Sequence, residues 1–405
     1  MTYWVNMEVK FKSFSPKIWL FCFALFSLLF AVYSYSFLDI GLTLTSFQPF
    51  LEFQRKMRWF GYFNRPRSTL YFVLISLLTY LFYFLVSKAV KSKKILLKEV
   101  IILSLGVGGI FVFAYPAFSH DIFNYIFNAK MIVVYGADPH KHVAMEFPDP
   151  MLGFMRNIHT AAPYFYGWTV ISLIPFILGL NRIFTEILSF KAFSFLFYWF
   201  TFLILRKLFK DLKLKDRKLR LVLFLLNPLI LIEAIGVGHN DFSMMAPALL
   251  SFYFLNKIKK ERITKEKLKL FLFFVFFFLF SVSIKYATVV LLPLFLLWYF
   301  KPKFDLGFWG AVILFGIQFS RFGLMHSWYF IWPLTWAILA KNIKAVKFFV
   351  LISFMALLRY LPYIWYGNWN PPVPIFRQYI YFIIPLLTVI CYFFYKGFKL
   401  LKIKK

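Results

Sequence analysis

The chain has 405 residues, of which 61% are hydrophobic and 23% aromatic, and its formal net charge is +31. This composition excludes a water-soluble globular protein, whose apolar fraction is much lower. The basic residues gather in short segments between apolar runs, as in the cytoplasmic loops of membrane proteins, so the charge does not indicate nucleic-acid binding.

The apolar runs predict an all-α membrane protein with about twelve transmembrane helices, because a helix needs about 20 apolar residues to cross a bilayer. We interpret residues 1–405 as one integral domain. The predicted spans are 18–38, 70–90, 100–118, 187–205, 221–237, 242–256, 269–284, 286–300, 308–320, 328–340, 348–366 and 379–395. Cys22 and Cys391 both lie in apolar runs, so neither a disulfide nor a zinc ribbon is predicted.

Basic residues assign the two sides of the membrane, because Lys and Arg concentrate in cytoplasmic loops. Most of them fall in the segments 1–17, 88–98, 206–220, 257–269, 301–303, 341–347 and 396–405. With these segments in the cytoplasm, loop 119–165 lies outside and both termini lie inside. The apolar run 168–180 is short and contains Pro175, so we interpret it as re-entrant or interfacial. The sequence therefore predicts a multi-pass protein of the cell membrane.

Loop 39–69 does not fit this charge rule, because it should lie outside and yet is basic. Its cations are Arg55, Lys56, Arg58, Arg65 and Arg67. They are either tolerated exposed charges or contacts to the phosphates of anionic lipids. The sequence leaves both interpretations open.

The start of the outer loop 119–165 predicts an amphipathic helix. One face of this helix has polar side chains at helical spacing, namely Asp121, Asn124, Tyr125 and Asn128. Ser119 is a suitable N-cap, which puts Asp121 in the first turn, where the helix dipole favours a carboxylate. We expect the helix to lie at the membrane surface with its polar face in water.

Three further polar clusters are predicted to reach the same side of the membrane. The first comprises Glu233, His239, Asn240 and Asp241, the second is Lys285, and the third comprises Arg321, His326, Trp328 and Tyr329. Ionisable groups at membrane depth are costly and usually line a substrate path. Together with the outer loop, these clusters predict one site on the extracytoplasmic face.

These stretches resemble motifs of the C-type (GT-C) integral-membrane glycosyltransferases, especially the mannosyltransferase-like members that use polyprenyl-phosphate sugars. The resemblance runs from about residue 103 to 329. The matching motifs are 119–125 with 135–140, 227–233 with 238–241, 164–167, and 326–329. The chain departs from the family pattern at His140, where Tyr is usual, and at Trp168 and Ser327, where Pro is usual.

The resemblance implies an inverting enzyme that moves a mannose-like hexose from a polyprenyl-phosphate donor to a glycan or glycolipid at the outer face. Asp121 is implied to be the general base that takes the proton of the acceptor hydroxyl. Lys285, Arg321 and His239 are candidates to stabilise the charge of the leaving lipid phosphate. The further candidates for substrate binding are His120, Asn124, Tyr125, Asn128, Asp138, Glu233, Asn240, Asp241, His326, Trp328 and Tyr329. Membrane lipids are expected partners, and no metal or other cofactor is expected.

Two other functions remain open at the level of sequence. One is a transporter or lipid flippase, although no inverted repeat is visible. The other is an oligosaccharide ligase or polymerase with a site at the same face. At the residue level, His140 and His142 form only a weak metal-binding pattern, and Trp328 and Tyr329 are also typical of the interfacial aromatic belt.

Overall fold

The structure is a computed structural model, and it describes residues 15–301, 303–319 and 325–380. Within these residues the protein is helical and has no β-strand, which confirms the predicted all-α class. The α-helices, in chain order, are α1 (Lys17–Ser34), α2 (Gln48–Arg58), α3 (Arg65–Lys91), α4 (Leu97–Phe113), α5 (Asp121–Val133), α6 (Tyr166–Gly179), α7 (Ile183–Asp211), α8 (Arg217–Leu225), α9 (Asp241–Ile258), α10 (Thr264–Ile284), α11 (Leu291–Phe300), α12 (Leu306–Phe319), α13 (Ile331–Ala337), α14 (Ile343–Leu358) and α15 (Leu361–Tyr366).

Several helices have the length and composition of membrane spans. In the described part of the chain, five helical stretches qualify, and they are Lys17–Phe37, Arg65–Lys91, Ile183–Asp211, Thr264–Ile284 and Ile343–Tyr366. A sixth is possible if α8 and the π-helical segment Ile230–Gly236, which are bent by 50°, form one span. The protein is therefore a membrane protein. The number of twelve spans stays a prediction, and nearly all of the span at 379–395 lies outside the described residues.

The apolar run that we interpret as re-entrant forms α6, which has 14 residues and contains Pro175. At about 1.5 Å per residue this helix is shorter than the roughly 30 Å hydrocarbon core of a bilayer. It ends at Leu180, whose backbone is left-handed with φ 57°. α6 packs against α5, α7 and α10.

The break between α8 and the π-helical segment follows from Pro228, which lacks a backbone N–H and disfavours helical geometry at Asn227. The Asn227 side chain stabilises the bend, because its Oδ1 accepts a hydrogen bond from the Ile230 backbone N–H at 3.3 Å and its Nδ2 donates to Ser353. The π-helical segment that follows contains Glu233. π-Helical turns often occur at functional sites.

α5 is buried on both of its faces, which corrects the prediction of a surface helix with its polar face in water. Ile122 and Ile126 are fully buried on the apolar face, and Asn124 and Tyr125 are buried on the polar face. α5 packs against α6 and α7. The polar face therefore meets polar groups of the protein and a pocket.

The start of α5 also differs in detail from the predicted Ser119 cap. The helix begins at Asp121, directly after His120, and has no side-chain hydrogen bond of the N-cap type. The Ser119 hydroxyl accepts a hydrogen bond from the backbone N–H of Asp121 at 3.3 Å. Ser119 thus contacts the first residue of the helix without capping its second or third.

The basic loop 39–69 contains α2, and two of its five cations have partners within the protein. Arg58 donates hydrogen bonds to the backbone carbonyls of Leu38, Asp39 and Leu42. Arg65 donates to the carbonyl of Ile364 at 3.3 Å. Arg58 therefore stabilises the loop itself, and Arg65 attaches the end of the loop to α15.

Candidate active site

Asp121 is the first residue of α5, and its carboxylate faces side chains from two other segments. Its Oδ2 lies 3.5 Å from the Tyr164 hydroxyl and 3.7 Å from Nδ1 of His239. Burial raises the pKa of Asp121; the charge of Lys285 opposes this shift, and the charge of Asp241 reinforces it. The side chain is 23% exposed and therefore accessible to a substrate. An accessible carboxylate with a raised pKa is suited to accept a proton.

His239 lies between Asp121 and Glu233 and is fully buried. Its Nε2 is 3.6 Å from the Glu233 carboxylate. Gly238 allows the close approach, because its φ is +86° and a Cβ there would lie 2.8 Å from the Ile122 side chain. The turn before α9 therefore holds His239 against the start of α5.

Asp241 and Lys285 form a buried ion pair next to this group. Lys285 Nζ lies 2.9 Å from Asp241 Oδ1, and the same oxygen accepts a 2.5 Å hydrogen bond from Nε1 of Trp332. The Lys285 ammonium also lies over the rings of Tyr164 and Trp332, at 4.9 and 5.7 Å from their centroids. The phosphate contact of Lys285 stays a prediction, and here the ammonium has the Asp241 carboxylate as its counter-ion.

The residues after α12 stack directly on His239. The Trp328 ring lies parallel to the imidazoles of His239 and His326, with centroid distances of 4.0 and 4.3 Å. His326 Nδ1 lies 2.9 Å from a guanidinium nitrogen of Arg359. Because a guanidinium can only donate, His326 Nδ1 is the acceptor in this hydrogen bond. The stack brings Arg359 near the residues around Asp121.

Asp121 lines two pockets of different chemistry. The first, which we call the amide pocket, is lined by carboxamides and a hydroxyl together with Asp121, and these residues are Asn124, Asn128, Asn157 and Thr160. The second, which we call the arginine pocket, is lined by cations and aromatic rings, including Arg156, Arg359, Arg377, His120, His326 and Trp328. Asp121 is the residue that connects them.

The remaining predicted residues have different positions. Tyr125 lies within the site, because its hydroxyl is 3.3 Å from that of Tyr164 and donates to Asn240 Oδ1 at 3.4 Å. Tyr329 packs on Trp332 with a centroid distance of 4.7 Å. Asp138, in contrast, binds the Tyr166 hydroxyl at 2.8 Å and lines neither pocket. Arg321 lies outside the described residues.

Several residues of this site were not predicted from the sequence. They are Asp39, Arg156, Tyr164, Trp332, Arg359 and Arg377. Arg359 had a usable signal, because a charged residue inside a predicted span is rarely tolerated without a role. Asp39 directly follows the first predicted span and is one of only 16 acidic residues in the chain. In the described residues, no group of three His, Cys, Asp or Glu side chains has the arrangement of a metal site.

Comparison with known families finds a match over most of the described chain. The family described as "Alpha-(1->6)-mannopyranosyltransferase, N-terminal domain" matches residues 27–301, which is more than half of the chain. The match includes Asp121, His239 and Lys285 and ends before the Trp328 stack. Neither the curated proteins nor the solved structures include a significant match.

Proposed function

Because the chain belongs to the alpha-(1->6)-mannopyranosyltransferase family, we propose that it transfers mannose from a polyprenyl-phosphate donor to a glycan or glycolipid at the extracytoplasmic face. That the protein is a membrane mannosyltransferase follows from the family itself. The donor, the acceptor, the membrane face and the mechanism are our proposal. Its main support is the position of Asp121, whose carboxylate lines both the amide pocket and the arginine pocket.

Asp121 acts as the general base in this proposal. A sugar hydroxyl of the acceptor attacks the anomeric carbon of the donor, and its proton passes to the Asp121 carboxylate. The bond from that carbon to the phosphate oxygen breaks, and the lipid phosphate leaves with the electron pair. One displacement inverts the anomeric carbon, so an alpha-linked product requires a beta-linked donor.

The amide pocket contacts the attacking hydroxyl of the acceptor sugar, because its cavity volume of about 40 Å³ does not hold a whole sugar ring. Carboxamides both donate and accept hydrogen bonds, which suits the hydroxyl groups of a glycan. Asn124 has a buried Oδ1 without a hydrogen-bond partner in the described residues, so a ligand hydroxyl would satisfy it. The Tyr125 and Tyr164 hydroxyls lie at the Asp121 end of this pocket.

The arginine pocket binds the donor phosphate. Guanidinium groups form paired, charge-assisted hydrogen bonds with phosphate oxygens and stabilise the charge that develops on the leaving group. Arg359 is 2% exposed, and its Nε has no hydrogen-bond partner among the described residues. Lys285, in contrast, already has the Asp241 carboxylate as its counter-ion. We therefore assign the phosphate to Arg156, Arg359 and Arg377.

The choice of donor is tested with purified protein, a labelled polyprenyl-phosphate mannose of beta configuration, and extracted membrane lipids as acceptors. We expect labelled product from this donor and none from a nucleotide mannose supplied without a lipid carrier. Arg359→Gln should weaken donor binding, and Asn124→Ala should raise the KM of the acceptor alone. Turnover of the nucleotide sugar in the absence of lipid carrier contradicts the proposal.

A further inference from the structure

We propose that Asp39 is a positioning residue for mannosyl transfer, which orients His120 at the wall of the arginine pocket. The inference rests on the proposed donor site, and it concerns a residue from the first outer loop, far from Asp121 in sequence. His120 Nε2 lies 3.0 Å from both carboxylate oxygens of Asp39. His120 also directly precedes Asp121 and lines the arginine pocket beside it.

Asp39 is held in place by other parts of the fold. The Tyr115 hydroxyl donates a 2.5 Å hydrogen bond to Asp39 Oδ2, and Arg58 binds the Asp39 backbone carbonyl. The Tyr115 backbone N–H in turn donates to the Ser34 hydroxyl at the end of α1. The pair thus links α1 and the loop before α2 to the start of α5.

Asp39 is an ionised partner for His120. Burial raises the pKa of the Asp39 carboxyl. The opposite effect is larger, so the pKa is lowered overall; it comes from the hydrogen bond and charge of His120, the Tyr115 hydroxyl and the charge of Arg156. Since a carboxylate can only accept hydrogen bonds, His120 Nε2 carries the proton in this contact. Asp39, which does not line the pocket, therefore fixes the orientation of the His120 ring and keeps the proton on Nε2.

The other ring nitrogen is available to the donor. His120 Nδ1 has no hydrogen-bond partner in the described residues, and the ring belongs to the wall of a pocket that also contains Arg156 and Arg359. A donor that enters the pocket meets Nδ1 at a fixed position. Without Asp39 the His120 ring is free to rotate. Donor binding must then also fix the orientation of the ring, which costs binding free energy. In metal sites, carboxylates orient the histidine ligands by the same kind of hydrogen bond.

The test is a double-mutant cycle on the purified protein, with beta-linked polyprenyl-phosphate mannose as the varied substrate. Asp39→Ala and His120→Ala should each raise the donor KM about tenfold, as expected for one lost charge-assisted contact, with a smaller change in kcat. The double variant should be no worse than either single variant. Asp39→Asn keeps an acceptor for Nε2 and should restore the donor KM to within about threefold of the parent.

Two controls separate this inference from the proposed function. Asp211→Ala removes an acid–lysine pair with Lys257 on the predicted cytoplasmic side and should leave the donor KM unchanged. If the parent protein transfers mannose but Asp39→Ala lowers only the thermal midpoint, or if the two single effects add, Asp39 is not a positioning residue. If the parent protein does not use the lipid donor, the proposed function itself is wrong.

Discussion

Nδ1 of His239 lies 3.7 Å from the carboxylate of Asp121, although one residue precedes α9 and the other begins α5. Burial lowers the pKa of His239 well below its usual value, and the charge of Lys285 lowers it further. The imidazole is therefore neutral and does not neutralise Asp121. A neutral neighbour of this kind leaves the carboxylate free to accept a proton.

We expect Asp121→Asn to abolish most of the transfer while the protein still folds and binds the lipid donor. Asparagine keeps the shape of the side chain but cannot take a proton from the acceptor hydroxyl. A positioned base contributes about 10²- to 10⁴-fold in rate, so single-turnover transfer should fall at least about a hundredfold. Donor binding is measured separately, with the radiolabelled lipid.

The matched controls for this variant are other carboxylates of the outer loop. Asp149→Asn should lose much less, because Asp149 is paired with Lys130 at 2.6 Å and lines neither pocket. Asp138→Asn should also lose much less of its single-turnover transfer rate than Asp121→Asn. If Asp121→Asn keeps near-normal transfer and a folded Asp241→Asn variant has none, the base belongs to the turn before α9 and our assignment is wrong.

The pH dependence of transfer should follow the raised pKa of Asp121. A general base works only when it is deprotonated, so transfer is present above the pKa of Asp121 and is lost as the pH falls through it. Because burial raises this pKa, we expect the acidic limb of the rate profile above the ordinary carboxyl value of about 3.9. Single-turnover rates from pH 4 to 8 measure the limb. The residual rate of Asp121→Asn should lack it, and an identical limb in that variant assigns the titration to another group.

Hydropathy predicted the helices of the fold correctly in outline, whereas the side of the membrane that each segment reaches stays a prediction. Each predicted span up to 348–366 is helical over most of its length, because apolar length is a direct requirement of the bilayer. The meeting of Asp121, His239 and Lys285 was expected from the side of the membrane that each segment reaches. Sidedness, however, gives only a plane in which residues lie, and it gives no distances within that plane.

The errors and omissions have a common physical cause. The polar face of α5 was expected in water, but helical periodicity cannot distinguish water from a polar pocket. The pairing of Asp39 with His120 depends on how the loop before α2 folds over α5, which no local pattern in the sequence specifies. The ion pair of Lys285 with Asp241 was missed for the same reason.

The predicted topology is open to a direct experiment. Reporter fusions after residues 93, 213, 262 and 343 should report the cytoplasm, and fusions near 145 and 370 should report the outside, because Lys and Arg concentrate in cytoplasmic loops. Position 145 lies in the loop that contains Asp121, and position 370 lies after α15. A cytoplasmic signal at 145 would move Asp121 and the other polar clusters to the opposite side and remove the argument for a lipid-linked donor.

The ion pair of Asp241 with Lys285 should contribute to stability as a unit. Both side chains are almost fully buried, at 0% and 7% exposure, so loss of one partner leaves an uncompensated charge at an expected cost of about 3–5 kcal/mol. We expect Lys285→Met and Asp241→Asn each to lower the free energy of unfolding in detergent by such an amount. The double variant should cost less than either single variant, because no unpaired charge remains.

The pair of Lys257 with Asp211 is the matched control, because it is partly exposed, at 39% and 19%, and Lys257→Met should cost at most about 1 kcal/mol. Transfer by the double variant then separates two roles of Lys285. If the double variant is stable and transfers mannose at a near-normal rate, Lys285 acts only as the counter-ion of Asp241. If it is stable but inactive, Lys285 contacts substrate as the sequence predicts. If the double variant loses as much free energy of unfolding as the two single variants together, the two charges do not interact.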